Sequence, residues 1–344
     1  MKKILFAILC AGAVMSCAKE EVVTAEQEAI TFENAFVDNA TKALDDYTVT
    51  KSNLTTFNVW GTTQMPSAEG EAAKPIVPIF NEVAVSLDGT VWTYGAAFTQ
   101  YWIPGNAYVF AAAKNYESVG LVNGVPATIV YDATTQKDLI YDEDDTRTGN
   151  VVGSNPAVEF TFEHLLSKAY FTVKNEMSTA NPLYSYKVSN IAINNAVKKA
   201  TYTVATEKWA TVTASYTADA PLAFGNVNGV ATATTSEAVK ILANTADNTS
   251  HYSRLLIPTE YTDANKLNIT CTIETLYGDS VIDVENYSRD IVFTFVKGHA
   301  YNFILTLKNP GDEIKFTVAD VNEWIPDSGN LPNMDNQQQS NDNN

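Results

Sequence analysis

Cysteine is nearly missing from this chain of 344 residues, and two of its three cysteines, Cys10 and Cys17, stand close to the N-terminus. Cys271 is left alone in the body, so no disulfide framework within one chain can hold the fold, and packing must do it. Histidine is as scarce. His164, His251 and His299 lie far apart, and none falls in an H-x-x-x-H or cysteine-histidine pattern with the spacing of zinc ligands. Positive charge is short as well: 22 basic residues against 40 acidic ones give a formal charge of −18, a surface that repels nucleic acid and anionic lipid headgroups. Little of the chain has helical period, and phosphate-cradling glycine loops and nucleophile elbows are missing. These absences exclude a disulfide-stapled scaffold, a zinc module and a nucleic-acid binder, and they leave no enzyme, metal or cofactor to expect.

What is present is apolar and aromatic: 45% of residues are hydrophobic and 11% aromatic, which calls for packed elements. At the N-terminus, Met1-Lys2-Lys3 is followed by an apolar run over 4–14 that is too short to span a bilayer, then by Ser16. Residues 1–16 therefore read as a signal peptide. Val14-Met15-Ser16-Cys17 resembles a bacterial lipobox, which implies diacylglycerol on the Cys17 thiol, palmitate-type acyl chains, and cleavage that leaves Cys17 first. Polar Ala18-Lys19-Glu20-Glu21 follows as a tether, and Ala29-Ile30-Thr31-Phe32-Glu33-Asn34-Ala35-Phe36 is a candidate strand ahead of the main body.

The body alternates between short strand patterns and turn signals. Thr56-Phe57-Asn58-Val59-Trp60 stops at Gly61, and Glu82-Val83-Ala84-Val85-Ser86-Leu87 runs into Asp88-Gly89, a hairpin signal before Val91-Trp92-Thr93-Tyr94. Leu267-Asn268-Ile269-Thr270-Cys271-Thr272-Ile273 alternates strictly, so Cys271 is a core thiol. The fold class expected is all-β, with two tandem antiparallel β-sandwich domains of transthyretin-like, Greek-key type. Their bounds are 43–165 and 166–326, behind a segment at 17–42 and ahead of a polar tail at 327–344.

Three patterns invite a chemical reading. Gly278-Asp279-Ser280 has the start of an esterase motif, but between two strong strands it is what a tight turn requires. The acidic run Asp142-Glu143-Asp144-Asp145 offers carboxylates to a hard cation, yet it lacks the glycine and distal glutamate of a calcium loop and reads as a solvated loop. Trp60, Trp92, Trp102, Trp209 and Trp324 can stack on sugar rings, which keeps open a surface glycan-binding lipoprotein that stays anchored. Most of them alternate with polar residues, as core tryptophans do.

Phe57-Asn58-Val59-Trp60-Gly61, Tyr108-Val109-Phe110-Ala111-Ala112 and Phe160-Thr161-Phe162-Glu163-His164-Leu165-Leu166-Ser167-Lys168 follow one another in order. Lys297-Gly298-His299-Ala300-Tyr301-Asn302-Phe303 and Ile314-Lys315-Phe316-Thr317-Val318 come near the end. Together they resemble the fimbrillin family of Bacteroidales, the lipoprotein precursors of type V pilus subunits. The resemblance implies a structural or adhesive subunit of the fimbrium at the cell outer membrane, held there by lipid before processing. Its partners are other pilus subunits and a host or bacterial surface ligand. It also implies a precursor strand, here carrying Ile30, Phe32 and Phe36, which fills a groove until a protease removes it. Thr41-Lys42-Ala43 stands where the family shows an arginine before its cleavage point, so Lys42 and Ala43 flank the expected cut. A neighbour's donor strand then takes the groove, and Ile314, Phe316 and Val318 mark the candidate donor.

Overall fold

Alternation sets the strands: Val158–His164 buries Val158, Phe160, Phe162 and His164 and exposes the residues between them, and Leu267–Tyr277 follows the same rule through Leu267, Ile269, Cys271 and Ile273. The structure, a computed structural model, describes residues 27–37, 48–175, 184–225, 231–232, 239–240, 243–244, 250–251, 253–307 and 315–321. Among these residues the regular elements are strands, apart from three single turns of 3-10 helix. The all-β class holds.

The first nine strands are β1 (Phe32–Val37), β2 (Thr56–Gln64), β3 (Ile76–Asp88), β4 (Val91–Tyr94), β5 (Ala107–Lys114), β6 (Ser118–Val122), β7 (Val125–Asp132), β8 (Ile140–Thr148) and β9 (Val158–His164). Seven of them form a single closed sheet in the order β1-β4-β3-β2-β5-β8-β9, where a two-sheet sandwich was expected. Closure comes from β1, which runs antiparallel to β4 and parallel to β9, so the sheet is not wholly antiparallel. The β3–β4 hairpin places Gly89 (φ +62°) and Thr90 at its turn, Asp88 pairing with Val91. This is one residue later than the Asp88-Gly89 reading, and it puts the glycine where positive φ is needed. Gly61 sits where two rings leave no room: a Cβ there would lie 2.9 Å from both Phe80 and Phe110. The acidic run is not a loop. It lies in β8, paired with β5, because Ile140 and Tyr141 lead it into the sheet.

Beyond Leu165 come β10 (Ser167–Asn175), β11 (Tyr184–Ile193), β12 (Val197–Thr203) and β13 (Lys208–Ser215). β10 pairs in parallel with Ala300–Leu307, whose other side carries the antiparallel strand Lys315–Val321. A second sheet joins β11 to Leu267–Tyr277 and then to Ser280–Ile291. The two sheets contribute to one core: Phe171, Phe303 and Leu305 from the first meet Val188, Ile193, Ile269 and Ile273 from the second. Cys271 lies in this core, and burial pushes its thiol pKa up to about 12.

A third core lies where the two sets meet. β7 pairs with β12 in a four-stranded sheet ordered β13-β12-β7-β6, so each set supplies two strands. Trp60, Ala111 and Ala113 of the closed sheet pack there with Tyr131, Leu165, Leu166 and Tyr202.

Candidate functional site

The seat of β1 is the most built feature of the N-terminal half. Ile30 and Phe32 are 0% and 1% exposed, and Ala35 and Val37 follow at 6% and 7%. Phe32 stands in a box of four rings. Centroid distances are 5.5 Å to Phe80, 5.6 Å to Tyr94, 6.4 Å to Phe110 and 6.0 Å to Phe160, the last a stacked contact and the rest edge contacts. Aromatic pairs in these geometries add about 0.5–1.5 kcal/mol each beyond the area they bury.

The spacing of those buried residues is irregular for a physical reason. Phe32 and Glu33 pair with Val158 and Glu159, whereas Phe36 and Val37 pair with Thr161 and Phe162. Three steps along β1 thus match two along β9, a bulge of one residue. Asn34 absorbs it with φ +45°, and its side-chain amide donates to the Glu159 carboxylate at 2.7 Å. Asparagine tolerates this left-handed backbone better than most residues. The bulge changes the phase of the strand, which brings in Ala35 and Val37. Strict alternation misses both; an asparagine in the middle of a strand pattern was the available signal.

Main-chain bonds fix the approach to β1. Ile30 N–H donates to Gln100 at 2.9 Å, Trp102 N–H donates to the Glu28 carbonyl at 2.9 Å, and Val158 N–H donates to the Thr31 carbonyl at 2.8 Å. The Tyr94 hydroxyl donates to the Ile30 carbonyl at 2.6 Å. The Glu28 carboxylate accepts from the Asn155 side chain at 2.6 Å and from Gly153 N–H at 2.8 Å, and the Asn155 bond holds its pKa below the usual carboxylate value.

A second anchor lies at Thr48 and Val49. Val49 N–H donates to Asp138 Oδ2 at 2.7 Å, and that oxygen lies 2.8 Å from His164 Nδ1. The Lys168 ammonium donates to the Thr48 hydroxyl. Asp138, His164 and Lys168 are all buried. Segments on both sides of 38–47 are therefore anchored independently, one in the closed sheet and one beneath it. Sequence reasoning did not find this second anchor, because its members are far apart in the chain.

Ile30 and Phe32 are thus brought together in one core. Phe36 belongs to β1 by backbone pairing with Thr161. Cys17, Lys42, Ala43 and Ile314 lie outside the described residues. Phe316 and Val318 belong to the strand Lys315–Val321, paired with Leu305 and Phe303. Ser280 pairs with Tyr277 across the Gly278-Asp279 turn, as a hairpin residue does. Among the acidic residues, Asp142 accepts from Thr161 N–H at 2.7 Å and Asp144 pairs with Arg147 at 2.5 Å. Burial raises the Asp142 pKa to about 6. Among the described residues no group of three or more His, Cys, Asp or Glu is placed to hold a metal. Trp60 and Trp102 are buried, Trp92 and Trp209 are half-buried against the cores, and Trp324 lies outside the described residues.

A family model described as fimbrillin-like matches residues 41–324. The fold is similar to a crystal structure of a fimbrial protein from Bacteroides vulgatus, 14% identical, with 87% of this chain and 100% of that chain covered and a TM-score of 0.55. Also similar are a candidate cell adhesion protein from Bacteroides uniformis (19% identity, 86% and 98% covered, TM-score 0.45) and a fimbrial assembly protein from Parabacteroides distasonis (14%, 86% and 97%, 0.39). No curated protein matches the chain.

Proposed function

The chain belongs to the fimbrillin-like family, and from that premise we propose that it is a pilus subunit of the cell surface, a structural protein and not an enzyme, that joins other subunits by strand replacement. One observation carries the reading: β1 closes the first sheet, yet it precedes Lys42 and connects to the rest only through 38–47. Without β1, β4 and β9 become free edges beside a groove lined by Phe80, Tyr94, Phe110 and Phe160. Unpaired backbone and an apolar groove together are what an added strand satisfies.

In this proposal Cys17 carries lipid to the outer membrane, the cut falls between Lys42 and Ala43, and lipid and β1 leave together. The mature subunit then starts at Ala43, with domains at 43–165 and 166–326, and presents a surface for a host or bacterial ligand. The family match begins at residue 41, beside the proposed cut. N-terminal sequencing of the protein from purified surface filaments tests the reading. A start at Ala43 is expected, and filament subunits still beginning at Cys17 would contradict it.

A further inference from the structure

The end of the closed sheet at which β1 begins is short of charge. Phe32 pairs with Val158 at the start of β9 and with Trp92 near the end of β4, and Thr148 at the end of β8 pairs with Ala107 at the start of β5. The β4–β5 connection (95–106) and the β8–β9 connection (149–157) therefore lie together at this end. They read Gly-Ala-Ala-Phe-Thr-Gln-Tyr-Trp-Ile-Pro-Gly-Asn and Gly-Asn-Val-Val-Gly-Ser-Asn-Pro-Ala, without one charged residue in a chain that is 18% charged. Charge resumes at the same end in the β2–β3 connection, with Glu69, Glu71 and Lys74.

The two uncharged connections expose Phe98, Tyr101, Ile103, Val151 and Val152, with Val151 at 67%. Main-chain bonds hold them side by side: Gly105 N–H donates to the Gly149 carbonyl at 2.9 Å, and Gly149 N–H donates to the Asn106 carbonyl at 2.8 Å. A Cβ on Gly149 would lie 2.3 Å from the Ile103 carbonyl oxygen, so glycine permits the close approach. Single exposed apolar side chains are ordinary. Five on uncharged ground with a charged margin mark a contact surface.

What it contacts follows from where the chain enters. Ala29 bridges to Tyr101, Trp102 N–H donates to the Glu28 carbonyl, and the Glu28 carboxylate accepts from Gly153 N–H, so residues 28 and 29 touch both connections. Glu28 stands eleven positions after Cys17, a span of about 40 Å at full extension. Lipid on Cys17 thus keeps this end of the sheet close to a bilayer.

We propose that this end is a membrane-docking face, with Phe98, Tyr101, Ile103, Val151 and Val152 resting in the interface of a zwitterionic leaflet while Cys17 holds the chain there. The inference rests on the lipid-anchor reading and adds the orientation of the anchored protein. Aromatic and aliphatic side chains suit the headgroup boundary, and the formal charge of −18 disfavours anionic lipid. Docking points β1 away from the lipid, so Val37, from which 38–47 continue, stands at its outward end. A short tether holds the face at an effective concentration on the order of millimolar, so a face of weak intrinsic affinity docks while tethered and leaves once β1 is released.

The test uses the full chain with a site-specific protease sequence within 38–47, exported, purified from membranes and reconstituted into phosphatidylcholine vesicles carrying headgroup-region nitroxide lipid. A fluorophore is attached at Ser154→Cys, in the 149–157 connection, or at Thr90→Cys, in the β3–β4 turn at the opposite end. In the native state Cys271 is buried and does not compete for label. Quenching is expected at 154 and not at 90. Val151→Asp with Ile103→Asp, both at exposed positions, should lower the docked-to-undocked ratio about a hundredfold while the protein still floats with the vesicles. Flotation with equal quenching at 154 and 90, or indifference to the two aspartates, overturns the docking face and leaves the lipid anchor standing. Absence of flotation overturns the anchor itself. A 154 probe that is shielded from water in proportion to protein density, yet not quenched by lipid, assigns the face to a second copy and overturns the choice of lipid. Cutting within 38–47 and releasing the N-terminal fragment should abolish the quenching at 154; quenching that survives release overturns the part played by the tether.

Discussion

The two halves of the molecule close their cores differently. In the C-terminal half, each strand that faces the core of Phe171, Phe303 and Ile269 lies after Leu165 in the chain. In the N-terminal half the ring is completed by β1, which lies ahead of 38–47 and fills a box made of Phe80, Tyr94, Phe110 and Phe160. One cut within 38–47 leaves the C-terminal core covalently whole and makes closure of the N-terminal one a binding equilibrium. Shared strand grammar thus yields one half closed by strands that follow Leu165 and one half closed by a strand that lies ahead of 38–47.

The largest effect that can break this comparison comes from Phe32→Ala. It should cost about 3–5 kcal/mol, the range for an aromatic lost from a core, and should speed release of the N-terminal fragment after a cut. Phe303→Ala should cost a similar amount and leave that release unchanged. The Cys271 thiol, buried in the C-terminal core, reports which half has opened. Mass-mapped alkylation at Cys271 should rise with Phe303→Ala and stay at the wild-type rate with Phe32→Ala; the reverse would show that the halves open as one.

Next in size is the second anchor. Asp138→Ala leaves the Val49 N–H without its buried carboxylate acceptor and removes the oxygen beside His164 Nδ1, at a cost of about 3 kcal/mol, the upper end of the range for a buried group left unsatisfied. Chemical denaturation should register the loss, while the fragment's release after a cut should not change, because Asp138 holds the chain after 47 and not before 38. Smaller again, Gly61→Ala forces a Cβ onto Phe80 and Phe110 and should cost about 1–3 kcal/mol by overpacking. Both rings also box Phe32, so this variant should weaken retention of β1, whereas Ala169→Gly in the C-terminal core should not.

The smallest effect is electrostatic. Burial raises the Asp142 pKa to about 6, so the native state holds its proton more tightly than the unfolded chain does. Its ionisation therefore costs stability at neutral pH, and the cost disappears as pH falls through about 6 towards 4. Asp142→Asn should raise the unfolding free energy at pH 7.5 by less than about 1 kcal/mol, given the solvent screening of this half-buried group, and should have no effect at pH 4.

Much of the fold was legible because its cause is local. Alternation over Val158–His164 and Leu267–Tyr277, the turn at Gly278, and the placement of Cys271 inward all follow from period two and turn chemistry. The closed sheet was not legible: β1 meets β9 across more than a hundred residues, and a parallel pairing leaves no hairpin signal. Residues 142–145 looked like a loop by charge, yet Asp142 lies in β8 with its carboxylate bonded to Thr161.

Amide hydrogen exchange on the full chain, before and after a cut within 38–47 and removal of the fragment, tests the central claim most directly. The account predicts that amides of β9 and β4 lose protection, that those of Leu267–Tyr277 and Ala300–Leu307 keep it, and that a 27–39 peptide restores the first set. Unchanged protection across β9 and β4 after the fragment has left, or loss of protection throughout the chain, would contradict it.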